Sequence, residues 1–192
     1  MRKIFLFTIS SLLLSCGSIS KSTVNEQTTS KNISKEPSTT NIQRAKANML
    51  VGKQTRNALE QNPYGIWFNS NFENYAVDTE TVKLLSPYLE DISIKAFMGT
   101  WCSDSKRETP NFYKILDQAN FNYNNLELIT VTRSKDTPEG YEKGLDIQRV
   151  PTFIFYKNGK EVGRYVEFAR ETLEKDILAI LSGVSYKHSY ED

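Results

Sequence analysis

The segment from Ile92 to Ser105 constrains this chain more than any other. Ile92–Met98 is an apolar, β-branched and aromatic run of strand length, and it stops abruptly at Gly99-Thr100-Trp101-Cys102. From Ser103 to Ala119 apolar residues return at helical spacing, with Phe112, Ile115, Leu116 and Ala119 on one stripe. Cys102 therefore falls where a strand hands over to a helix N-terminus. Backbone N–H groups left unbonded there, with the positive end of the helix dipole, favour a thiolate over a thiol. A cysteine so placed is a candidate nucleophile, and the rest of the chain reads as scaffold around it.

At 192 residues, 39% of them hydrophobic, the chain has room for one ordinary domain and its appendages. The formal charge is +1, and it falls to −1 without Arg2 and Lys3, so no nucleic-acid surface is indicated. Only two cysteines are present, Cys16 and Cys102. With Cys16 assigned to processing, a structural disulfide within the chain is not expected. A single histidine, His188, and no cysteine cluster give metal binding no support, and no cofactor is implied.

Residues 1–15 open with Arg2-Lys3 and continue through an apolar stretch to Leu13-Leu14-Ser15-Cys16. This is the pattern of a secretory leader, too short for a stable membrane span. Its end resembles the bacterial lipobox, which implies cleavage before Cys16 and acylation of that cysteine. The expected location is the bacterial cell envelope, lipid-anchored and outside the cytoplasm. Residues 16–40, rich in Ser, Thr, Asn and Lys, then serve as a flexible tether with a reach of about 25–30 Å if it behaves as a Gly/Ser linker.

Residues 41–77 form an extension. Helical periodicity runs from Asn41 to Asn62 up to a stop at Pro63, and an aromatic-rich stretch follows with Tyr64, Trp67, Phe68, Phe72 and Tyr75. Packing against the domain and partner recognition are both open to it. Residues 78–182 make the main domain. Asp78 or Thr79 caps a helix reaching about Leu89, bent at Pro87, before the strand at Ile92–Met98 and the helix at Ser103–Ala119. Strands follow at Leu126–Thr132, Thr152–Tyr156 and Glu161–Glu167, the last two joined by the hairpin signal Asn158-Gly159. A helix over Glu171–Leu181 closes the domain, and residues 183–192 read as a loose polar tail with His188 solvated. The fold class is α/β, a central mixed sheet with helices on both sides.

Trp101-Cys102-Ser103-Asp104-Ser105, with Pro110 in the following helix, resembles the Trp-Cys-x-x-Cys site of the thioredoxin superfamily. Arg149-Val150-Pro151-Thr152, continuing to Asn158-Gly159, resembles that family's cis-proline loop, next strand and tight turn. The resemblance implies that Pro151 is cis and that the Val150 backbone lies beside Cys102, with Val150, Pro151 and Thr152 forming the loop that meets an extended substrate. A trans proline at a strand start is the alternative. Trp101 is equally compatible with a wall of the substrate surface and with simple packing.

The departure is Ser105, which stands where the family's second cysteine would resolve the mixed disulfide. Its hydroxyl is expected to hydrogen-bond the Cys102 thiolate, while Lys106 and Arg107 offset the like charge of Asp104. Release then falls to another thiol of the client protein, which is isomerisation, or to an external thiol, which is monothiol reduction. Oxidation of Cys102 to a sulfenic acid, as in a weak peroxidase or sensor, ranks lower. A binding module of the same fold without catalysis is the rival reading.

Overall fold

The computed structural model of the chain describes residues 49–191. The expected leader, Cys16, the tether and the first part of the extension lie outside the described residues. Five strands form one mixed sheet in the order β1-β3-β2-β4-β5, and helices flank it. The strands are β1 (Gly52–Gln54), β2 (Ile92–Met98), β3 (Leu126–Thr130), β4 (Thr152–Lys157) and β5 (Lys160–Val166). The helices are α1 (Arg56–Glu60), α2 (Gly65–Asn74), α3 (Thr79–Leu85), α4 (Ser103–Gln118) and α5 (Leu173–Ser182). None of the described helices is long and apolar enough to cross a membrane.

Central strand β2 pairs parallel with β3 and antiparallel with β4, its alternate residues facing opposite sides. Ile92, Ile94, Ala96 and Met98 join the larger core with Phe112, Phe153, Phe155, Leu173 and Ile177. There Phe112 and Phe153 stack with ring centroids 4.1 Å apart. Each such fully buried side chain contributes roughly 1.5–3 kcal/mol through removal from water. Phe97, Ile129 and Ile154 point the other way into a smaller cluster, closed by Val131, Ile147 and Val150. Helices were expected on both sides, but the large buried hydrophobic side chains of the described helices all belong to the larger cluster. The second face is covered by the turn-rich connection over 131–150.

One expectation about the extension changes. Helical periodicity does not carry through residue 52: Gly52 has φ +93°, and Gly52–Gln54 pairs antiparallel with Leu128–Thr130 as an edge strand. Among the described residues, only Arg56–Glu60 is helical before Pro63. The aromatic stretch, in contrast, is helix α2, with Phe68 buried edge-on against Tyr113 of α4 at 5.9 Å. Helix α2 also repairs a defect in α4. Pro110 has no N–H to offer the carbonyl four residues earlier, that of Lys106. The Asn71 side chain donates to that carbonyl instead, at 3.1 Å.

The hairpin at Asn158-Gly159 has both residues at positive φ, +51° and +75°, as a tight two-residue turn requires. Helix α3 starts at the cap Asp78, whose carboxylate accepts from the Thr81 N–H, and passes into a 3₁₀ turn at Ser86–Leu89 carrying Pro87. The polar residues after α5 are not loose. Gly183, in the left-handed conformation, turns the chain back, and residues 186–190 dock on the β5 side of the domain.

Candidate functional site

Cys102 is the N-cap of α4. Its φ and ψ, −87° and 130°, are still extended, while its carbonyl already accepts the first helical bond from Lys106 N–H at 3.1 Å. Its own N–H is taken by the Gly99 carbonyl at 2.9 Å, so the turn from β2 into α4 is closed on itself. The half-exposed sulfur then sits at the helix end where unbonded N–H groups favour negative charge.

The Val150–Pro151 peptide is cis, and the Cys102 thiol donates to the Val150 carbonyl, sulfur to oxygen 3.2 Å. Among the described residues no acceptor is bonded to the Val150 N–H. The loop therefore presents both a backbone acceptor and a free backbone donor next to the Cys102 sulfur. An extended polypeptide pairs with such a combination in β fashion. Thr152 does not face outward: it is buried, and its hydroxyl donates to the Arg149 carbonyl at 2.7 Å, bracing the loop from below.

Ser105 is fully buried, and its hydroxyl oxygen accepts from the Gly99 N–H at 3.1 Å rather than bonding to the Cys102 sulfur. The expected Ser105–Cys102 hydrogen bond is thus replaced by one that ties the helix to the end of β2. Trp101 is half-buried, with its indole N–H on the Val131 carbonyl at 3.0 Å and the Arg133 guanidinium 5.1 Å above its ring. Gly99 makes room for that ring, since a Cβ there would lie 2.6 Å from the indole. Asp104 is met directly by Arg107 at 2.8 Å. Lys106, expected to help offset that charge, forms no ion pair among the described residues. Arg107 also reaches the buried Glu108 at 2.6 Å. Partial burial opposes the Arg107 charge, but the bonds to Glu108 and Asp104 hold its pKa above the ordinary value.

Neither Arg149 nor Glu167 was singled out by sequence. Glu167 N–H donates to the Pro151 carbonyl at 2.8 Å, and its carboxylate holds Arg149 at 3.1 Å and accepts from the Tyr190 hydroxyl. His188 is not solvated but half-buried in the docked tail, near Glu191 and Arg164. Among the described residues no group of His, Cys, Asp and Glu is arranged to hold a metal ion.

A lone thiol at a strand-to-helix junction, facing a cis-proline loop on a mixed sheet, defines a thioredoxin-like protein. The family model named Thioredoxin matches residues 79–179, more than half of the 192. The chain belongs to the thioredoxin family. It is 31% identical to mouse thioredoxin over 81 residues, which are 42% of this chain and 71% of that protein. To thioredoxin H9 of Arabidopsis thaliana it is 28% identical over 93 residues, 48% of this chain and 62% of that protein's length. A Pseudomonas aeruginosa protein of unknown function shares the fold at a TM-score of 0.51 and 14% identity, over 69% of this chain and 94% of that one.

Proposed function

We propose that this protein exchanges thiols and disulfides with client proteins through one nucleophile, Cys102, as an isomerase or a monothiol reductase. The observation that carries the reading is the Cys102 sulfur 3.2 Å from the Val150 carbonyl, beside a free Val150 N–H. In the first step the thiolate attacks one sulfur of a client disulfide. The client S–S bond breaks, a Cys102–client bond forms, and the other client sulfur leaves as thiolate. If a second client thiolate then attacks the client sulfur, Cys102 leaves reduced and the client disulfide has moved with no net electron transfer. If an external thiol attacks instead, a second external thiol completes a two-electron reduction of the client.

Buried Ser105, occupied with Gly99, favours the rival reading of a binding module, because it provides no resolving sulfur. The two separate by trapping. When external thiol is scarce, the wild-type protein should accumulate mixed disulfides with clients, and added small thiol should release them. Cys102→Ser should capture none. Equal capture by both proteins would leave covalent chemistry irrelevant and establish the binding module.

The reading includes an envelope location through Cys16 acylation, supported by Leu13-Leu14-Ser15-Cys16 after a short basic and apolar leader. Several acyl chains together anchor firmly, at roughly 0.8 kcal/mol per buried CH₂. Intact mass of the mature protein should give an acylated N-terminal Cys16, and Cys16→Ala should leave the membrane fraction or stall maturation. A soluble, unmodified chain beginning elsewhere would end the anchoring proposal.

A further inference from the structure

The C-terminal segment lies against the loop that faces Cys102, and the contacts converge on that loop from three directions. The Tyr190 ring covers the Arg149 guanidinium at 3.7 Å, a close cation–π contact. Tyr190 also donates its hydroxyl to Glu167, which ion-pairs with the same Arg149. Glu167 in turn holds the Pro151 carbonyl through its N–H, and it does so at φ +66°, a conformation that non-glycine residues seldom adopt. The segment is itself fixed: Ser189 donates to the Phe168 carbonyl at 2.9 Å, and the Phe168 and Tyr190 rings meet edge-on at 5.7 Å. Arg149 is held by its side chain, Pro151 by its carbonyl, and between them stands Val150, whose carbonyl is on the sulfur.

We infer that Tyr190 and Glu167 are positioning residues for thiol exchange at Cys102, clamping Arg149 so that the Val150 backbone is held ready for an extended polypeptide substrate. The inference rests on the exchange function proposed above and names the class of substrate that gains from it. A peptide that pairs with the Val150 backbone profits from a loop already ordered, because ordering then costs little on binding. Tyr190 and Glu167 together hold Arg149, and Glu167 alone holds Pro151, so the contacts stand on each side of Val150.

The test uses the full chain and a fluorogenic extended peptide disulfide, turned over in a fixed glutathione buffer with the uncatalysed rate subtracted. Tyr190 is 41% exposed, so Tyr190→Ala leaves the core in place, and Glu167→Gln is a second, milder variant. Both should raise KM about 2- to 10-fold, with kcat within about twofold of wild type. Tyr190→Phe, which keeps the ring over Arg149, should fall closer to wild type. Hydrogen exchange of the Glu167 amide, which is bonded to the Pro151 carbonyl, should accelerate by a comparable factor in Tyr190→Ala, with the amides of β3 unchanged. A wild-type KM in both variants, or Glu167 amide exchange unaltered in Tyr190→Ala, overturns the clamp. So does a fall in kcat alone that tracks lost thermal stability. If wild type shows no turnover above Cys102→Ser, the exchange function fails, and the Glu167 amide exchange rates still decide whether the clamp exists.

Discussion

A hydroxyl at Ser105 and a missing side chain at Gly99 shape the ground beneath the Cys102 sulfur. Gly99 N–H is buried and its acceptor is the Ser105 oxygen. Ser105→Ala removes that acceptor and should cost about 1–3 kcal/mol in urea unfolding, the penalty for an unpaired buried donor. Ser105→Cys places a weak acceptor there and should cost about 1 kcal/mol, while supplying the sulfur that resolves a mixed disulfide intramolecularly. A variant that gained a resolving thiol and lost no stability would show that the Gly99 bond matters little. Gly99→Ala drives a methyl into the Trp101 indole and should cost about 1–3 kcal/mol through overpacking. Trp101 emission should shift in that variant; an unmoved spectrum with unchanged stability would contradict the packing described.

At the scale of elements, α2 and the C-terminal segment are the additions to the sheet and its main helices, and each is joined by a specific polar bond. Asn71→Ala strands the Lys106 carbonyl that Pro110 leaves without a helical partner, at about 1–3 kcal/mol. Denaturation of Asn71→Ala at wild-type stability would remove α2 from that role. In the C-terminal segment, His188 Nδ1 accepts from the Tyr190 N–H at 3.2 Å, which requires that nitrogen to be unprotonated. Burial lowers the His188 pKa below its ordinary 6.5; nearby Arg164 adds to this, and Glu191 opposes it. The unfolded chain then takes up a proton near pH 6.5 that the folded chain resists. The stability His188 contributes is complete above that pH and declines as the pH falls through it. Unfolding midpoints should drop between pH 7 and pH 5, and His188→Gln should flatten the part of the drop that carboxylates do not cause. An identical pH profile in that variant would place His188 in solvent after all.

Much of this was legible where a local pattern carries a structural meaning. The β2-to-α4 junction shows as an apolar strand ending at a cysteine, the β4–β5 turn shows in Asn158-Gly159, and the cis-proline loop shows through its resemblance to a family. Strand β1 was not legible, because three residues behind Gly52 become a strand only by pairing with β3, which is distant in sequence. Helix α2 contains Asn69, Ser70, Asn71 and Asn74, poor helix formers, and owes its form to packing of Phe68 on α4. In the site, Cys102 and Val150 could be named from sequence. Glu167 at positive φ leaves no signature in residue type, and the docked tail is held by hydrogen bonds and a cation–π contact rather than by apolar periodicity.

For the molecule as a whole, the end of β2, the start of α4 and the proline loop converge on the Cys102 sulfur, and the exchange proposed for it depends on a thiol from elsewhere. Repeated turnover of a scrambled-disulfide protein in a defined thiol buffer tests this most directly. Wild type should rearrange the substrate slowly and in proportion to added thiol, Cys102→Ser should do nothing, and Ser105→Cys should gain net reductase or oxidase capacity. Turnover by Cys102→Ser equal to wild type, or no turnover by either at any thiol concentration, would contradict the account.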